Sequence, residues 1–125
     1  MLKSLHAPRG MVTAPHHLAS QAGLAVLREG GNAVEAMVAM ASTIAVVYPH
    51  MNSLGGDGFW LVSDPVQGVF AIDACGRAGS AATPAFYREQ GYAAIPSRGP
   101  LAANTVAGAV SGWEVALATA GSRLP

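Results

Sequence analysis

The chain has 125 residues, enough for one ordinary domain with one hydrophobic core. Only 11% of its residues are charged, against roughly 25% in typical soluble proteins, and seven basic and seven acidic residues give a formal net charge of zero. This balance gives no sign of a partner such as nucleic acid or an anionic membrane, and the single cysteine excludes an internal disulfide and a cysteine-only zinc site.

The first predicted elements are a strand and a helix. Residues 10–14 are short and apolar enough for one strand, which ends in a turn at Pro15. From His16 to Glu29 apolar residues recur at helical spacing, and the Gly-Gly pair at 30–31 is typical of a helix C-terminus.

The clearest helix signal begins at Asn32. Asparagine is a favourable N-cap, and Glu35 three positions later completes a pattern like a capping box. The helix then carries no charge from position 36 to 47, and Pro49 stops it. Because no face of this helix is polar, we expect it to be almost wholly buried in the complete protein.

The middle of the chain predicts a glycine-rich loop followed by a hairpin. The loop at 55–58 is expected to need positive φ angles. Strands are predicted at 59–62 and 69–73, joined by a turn, and short helices follow at 84–90 and 109–119. The predicted fold class is therefore α+β, with a sheet that is at least partly antiparallel.

Most side chains that could carry chemistry have a plainer structural interpretation. Neighbouring His16 and His17 do not face the same way on a helix, which favours a polar pair at the helix start over a metal or base site. Asp57 could bind a metal, but an aspartate in such a loop more often caps its own turn. No histidine follows Cys75 in the chain, which favours a buried, inert thiol.

Arg77 is the strongest candidate for a binding residue. It follows a predicted strand and lies between Gly76 and Gly79, in a segment otherwise free of positive charge. Its planar guanidinium suits two-point contact with a carboxylate. The alternative is a structural ion pair with Asp73 or another acid, and the residues alone do not decide between the two.

The low charge also bears on the context of the chain. A small domain exposes proportionally more surface than a large one, so few charges indicate that other protein covers much of this surface. Residues 1–10 lack the apolar core of a signal peptide, and the apolar run at 36–48 is too short to span a bilayer. We therefore expect a segment of a larger, soluble and cytoplasmic protein.

Several segments together resemble the γ-glutamyltransferase (γ-glutamyltranspeptidase) family of N-terminal nucleophile hydrolases. The most specific piece is the helix start Gly-Gly-Asn-Ala-Val-Glu-Ala. The resemblance follows the family's order over nearly the whole chain. It is carried by residues 10–20, 30–36, 46–49 and 54–59, by the strand leading to Arg77, and by residues 106–108, 112 and 121–125.

The resemblance implies a four-layer αββα fold, made as a precursor that cleaves itself into a large and a small subunit. Residues 1–125 then form the N-terminal segment of the large subunit and not an independent domain. The nucleophile is implied to be the N-terminal threonine of the small subunit, so no catalytic residue is expected in this chain. The implied partners are the rest of the large subunit, the small subunit and a small-molecule amide. No cofactor, metal, nucleic acid or membrane is expected.

The resemblance also implies a role for Arg77, which matches the family's arginine that binds the substrate carboxylate. Two departures separate this chain from the family's transferases. Ala78 stands where a glutamate usually follows that arginine, and no signal-like segment is seen. Both favour a cytoplasmic amidohydrolase branch, exemplified by oxamate amidohydrolase. The alternatives are a γ-glutamyltransferase or glutathione hydrolase, and a non-catalytic structural domain.

Overall fold

The computed structural model describes residues 4–102 and 105–124. Within them the chain forms four α-helices and one antiparallel pair of strands, so the predicted α+β class is confirmed. No described helix is long and apolar enough to cross a membrane. The elements in chain order are α1 (His17–Arg28), α2 (Ala33–Val47), β1 (Gly58–Asp64), β2 (Gly68–Ala74), α3 (Pro84–Glu89) and α4 (Ala109–Ala120).

The chain divides into two compact units. The first runs up to Leu54 and resumes at Trp113, so that it holds α1, α2 and most of α4. The second runs from Gly55 to Gly112 and holds the two strands, α3 and the first residues of α4.

In the first unit, α1 and α2 pack closely because small residues line their contact. A Cβ atom on Gly23 would lie 2.5 Å from Cγ of Met40, so a larger residue there would displace the Met40 side chain. Ala19 of α1 and Ala36 of α2 are also buried. Their short side chains let the two helix backbones approach each other, and this pair of helices forms the core of the unit.

His16 and His17 lie at the start of helix α1, as the predicted polar pair. The Nδ1 atom of His16, the N-cap residue, accepts a hydrogen bond from the backbone N–H of Leu18 at 3.2 Å. The imidazole rings of His16 and His17 stack with their centroids 4.6 Å apart.

The preceding residues, 10–14, form no strand, which corrects the prediction. A strand needs a hydrogen-bonded neighbour, and the described sheet consists of β1 and β2 alone.

Helix α2 has the predicted capping box and ends before Pro49. The side chain of Asn32 accepts the backbone N–H of Glu35 at 2.9 Å, and the Glu35 carboxylate accepts the backbone N–H of Asn32 at 2.7 Å. Within this chain the helix is only partly covered, since Met37 is 47% exposed and Val46 73% exposed. Its burial on all sides in the complete protein stays a prediction.

The second unit is built on the predicted hairpin. Strands β1 and β2 pair antiparallel from Gly58 opposite Ala74 to Asp64 opposite Gly68. The turn is closed by Asp64, whose Oδ1 atom accepts the backbone N–H of Val66 and of the next residue, both at 2.8 Å. The glycine at the end of the turn has φ of 80°, a value that other residues rarely adopt.

The glycine-rich loop before β1 does not adopt the expected backbone, since Gly56 and Gly58 lack a positive φ. Gly58 opens β1, in a conformation open to any residue. The loop is fixed by hydrogen bonds, because the Gly56 carbonyl accepts the N–H groups of Gly108 and Ala109, each at 3.0 Å. The loop is therefore attached to the start of α4.

Candidate substrate-binding site

Arg77 lies on the segment that leaves β2 and has a fixed backbone. Its carbonyl accepts the backbone N–H of Val106 at 3.0 Å, and the next residue, Ala78, forms a β-bridge with Thr105. The side chain of Arg77 is exposed. The segment thus holds the main chain of this arginine in place while the guanidinium remains accessible.

The structural ion pair that competes with this interpretation is absent from the described part of the chain. The guanidinium of Arg77 has no acidic partner there. The carboxylate of Asp73 instead accepts the backbone N–H of Cys75 at 2.9 Å. The binding of a carboxylate by Arg77 stays a prediction.

Near Arg77 two glycines lie so close to neighbouring backbone that neither position has room for a side chain. A Cβ atom on Gly76 would overlap the carbonyl oxygen of Val106, and one on Gly108 would overlap the carbonyl oxygen of Ala74. Backbone atoms cannot move aside as a flexible side chain can. Glycine at both positions is therefore a steric requirement for the observed path of the chain.

Asp57 makes a contact that the sequence did not predict. Its Oδ1 atom accepts the backbone N–H of Gly76 at 3.1 Å, across a separation of 19 residues. In the described ranges, no three His, Cys, Asp or Glu side chains lie together as they would to hold a metal ion. The carboxylate therefore ties the loop before β1 to the segment after β2.

Cys75 is exposed, which corrects the prediction of a buried thiol. Its pKa is raised to about 11, first by a hydrogen bond with Asp73, then by partial desolvation and by the negative charges of Asp73 and Asp57. These effects stabilise the protonated thiol. An inert thiol therefore stays a prediction, with the carboxylate neighbours and not burial as its main cause.

We expect Cys75 to react slowly with iodoacetamide at pH 8. Raising a thiol pKa from 9.0 to about 11 lowers the thiolate fraction about 100-fold, while greater nucleophilicity of the thiolate recovers about 10-fold. Asp73→Asn is therefore expected to speed alkylation by up to about 10-fold, which mass spectrometry of the native protein would measure. Asp64→Asn, at the other end of the hairpin, is the control, and an equal acceleration by both changes would contradict this account.

In the first unit, the carboxylate of Glu35 is buried, with 7% of the residue exposed, and it does more than close the capping box. Its Oε1 atom accepts the hydroxyl of Ser122 at 2.8 Å and the backbone N–H groups of Arg123 and Leu124 at 2.9 and 2.8 Å. The side chain of Asn32 also donates to the carbonyl of Gly121 at 2.7 Å. These bonds attach the chain after α4 to the start of α2, and no local pattern in the sequence signals them.

The hydrogen bonds lower the pKa of Glu35 from 4.5 to about 2, with the N–H of Asn32 as the largest cause and that of Leu124 the next. A carboxylate with a depressed folded-state pKa stabilises the fold above its unfolded pKa, and this stabilisation is lost as the pH falls through the folded pKa. The contribution of Glu35 is therefore complete above about pH 5 and declines toward pH 2.

We expect Glu35→Gln to lower the Tm of the complete protein by roughly 2–5 °C at pH 7, because an amide cannot accept all four bonds. The deficit should stay constant down to about pH 5 and shrink below it. Thermal melts from pH 7 to pH 3 would test this, with Glu29→Gln at the end of α1 as the matched control. A deficit that does not depend on pH would contradict the assignment.

Comparisons with known proteins extend over nearly the whole chain. The family model for gamma-glutamyltranspeptidase matches residues 19–125. The chain is 66% identical over 108 residues to an oxamate amidohydrolase proenzyme of Klebsiella pneumoniae subsp. pneumoniae, covering 86% of this chain and 20% of the relative. It is 46% identical over 118 residues to a glutathione hydrolase-like proenzyme of Bacillus subtilis, covering 94% of this chain and 22% of the relative.

The fold is similar to solved structures as well. A gamma-glutamyltranspeptidase from Pseudomonas nitroreducens superimposes with a TM-score of 0.79 and 33% sequence identity, covering 95% of this chain and 36% of that one. The chain spans about a fifth of the length of the curated relatives it matches.

Proposed function

The chain belongs to the gamma-glutamyltranspeptidase family, and from this premise we propose that it is the N-terminal segment of the large subunit of an amidohydrolase. The complete protein has a four-layer αββα fold and matures by cleaving itself into two subunits. Its substrate is a small amide that carries a carboxylate, as oxamate does. The nucleophile is a threonine outside this chain.

The observation that carries the proposal is the setting of Arg77. Its backbone is fixed by Val106, and its exposed guanidinium has no acidic partner among the described residues. Such a group is ready to bind a carboxylate through two hydrogen bonds. The similarity to an oxamate amidohydrolase proenzyme supports oxamate as the substrate class.

In the proposed reaction Arg77 orients the substrate while the other subunit performs the chemistry. The carboxylate of oxamate is bonded directly to its amide carbon, so two-point binding by Arg77 fixes the direction of the amide. The threonine hydroxyl attacks the amide carbon while its own α-amine takes the proton, and the α-ammonium passes that proton to the amide nitrogen, which leaves as ammonia. Water then hydrolyses the acyl-enzyme to oxalate.

A second candidate is hydrolysis of glutathione, favoured by the 46% identity to a glutathione hydrolase-like proenzyme. A γ-glutamyl group also carries a carboxylate that Arg77 could bind. Here, however, that carboxylate lies several bonds from the amide, so the same arginine would orient the scissile bond less directly.

The complete, processed protein should be assayed with oxamate and with γ-glutamyl-p-nitroanilide. We expect release of ammonia from oxamate with a kcat/KM at least about 10-fold above that for the anilide. Preference for the anilide would support the glutathione hydrolase instead. Failure to hydrolyse either compound by a correctly processed protein would overturn the proposed activity.

A further inference from the structure

The residue directly before Arg77 is held by the carboxylate of Asp57, which lies just before β1 at the same open end of the hairpin. Oδ1 of Asp57 accepts the N–H of Gly76, before Arg77, at 3.1 Å. The carbonyl of Arg77 itself accepts the N–H of Val106 at 3.0 Å. The backbone of Arg77 is thus restrained on both sides, by two different parts of the same unit.

Gly76 needs such a restraint. Only glycine fits at this position because of the carbonyl of Val106, yet glycine is the residue with the greatest backbone freedom. A hydrogen bond to an ionised acceptor is stronger than one between neutral groups and is directional. The hydrogen bond to Asp57 therefore limits the backbone motion of Gly76, which lies directly before Arg77.

The backbone of Asp57 is itself firmly placed. The carbonyl of Gly56 accepts two N–H groups at the start of α4, and Gly58 pairs with Ala74 at the end of the hairpin. Asp57 lies between these two fixed residues, so the backbone that carries its carboxylate is held on both sides. A supporting side chain that comes from such fixed backbone can position its neighbour accurately.

We propose that Asp57 is a positioning residue for Arg77, which acts by holding the N–H of Gly76. This inference rests on the proposed binding of a carboxylate by Arg77. Asp57 is exposed, and an exposed hydrogen bond contributes little to overall stability. Its loss should therefore weaken substrate binding more than it weakens the fold.

A double-mutant cycle in the complete, processed protein tests the proposal. Asp57→Ala is expected to lower kcat/KM for oxamate on the order of 10-fold, mainly by raising KM. Asp57→Asn keeps an oxygen that accepts the same N–H and should stay within about 3-fold of the wild type. In Asp57→Ala/Arg77→Lys the loss should be clearly smaller than the product of the two single losses.

The control is Asp64→Ala, which removes a carboxylate that also accepts backbone N–H groups, at the opposite end of the hairpin. It should leave KM unchanged. Losses that multiply fully in the double mutant, or an equal rise in KM in Asp64→Ala, would overturn the role of Asp57. If Arg77→Lys alone keeps full activity, the proposed binding of the carboxylate by Arg77 is wrong. This outcome is distinct from fully multiplying losses, which contradict only the positioning role of Asp57.

Discussion

Replacing Arg77 by lysine in the complete, processed protein is expected to lower kcat/KM for oxamate by roughly 10- to 1,000-fold. Lysine keeps the positive charge but presents a single ammonium, so the two-point contact with a planar carboxylate is lost. Because the guanidinium makes no ion pair with the described residues, the change removes no internal partner whose loss would destabilise the fold.

Two controls separate substrate binding from a structural role of Arg77. Autocleavage of the precursor should proceed at nearly the normal rate, since that step binds no carboxylate substrate. Hydrolysis of acetamide, which lacks the carboxylate, should be equally poor in wild type and variant. Equal losses on both amides, or an unprocessed precursor, would place Arg77 in a structural contact outside this chain.

Replacing Gly76 by alanine is expected to destabilise the protein by about 3 kcal/mol or more and to reduce the yield of soluble, processed protein. The added methyl group would overlap the backbone carbonyl of Val106. Relief requires that one of the two backbone segments moves, which also displaces Arg77. Thermal melts and the oxamate assay should therefore both show the defect.

Gly79→Ala is the matched control, three residues further along the same segment. A Cβ atom there meets no atom within 4 Å, and Gly79 has no positive φ. Alanine should be neutral or stabilise by up to about 1 kcal/mol, because it restricts the unfolded chain. If Gly76→Ala melts at the same temperature as Gly79→Ala, the steric interpretation is wrong.

The sequence by itself determined the secondary structure wherever the signal is local. The capping box of Asn32 and Glu35, the turn of the hairpin and the glycine after α4 each depend on residues within about four positions. The strand predicted at 10–14 shows the limit, because an apolar pattern does not provide the neighbouring strand that a ladder requires.

The tertiary structure alone decided the surroundings of the candidate site. The sequence singled out Arg77, but the bond from Asp57 to Gly76 spans 19 residues, and the bonds from Glu35 to the chain after α4 span 87 to 89. Likewise, the exposure of Cys75 follows from the path of the chain after β2. Helical and strand patterns record which local conformation each segment prefers. They do not record which distant backbone N–H a carboxylate will meet, because that depends on how the elements pack.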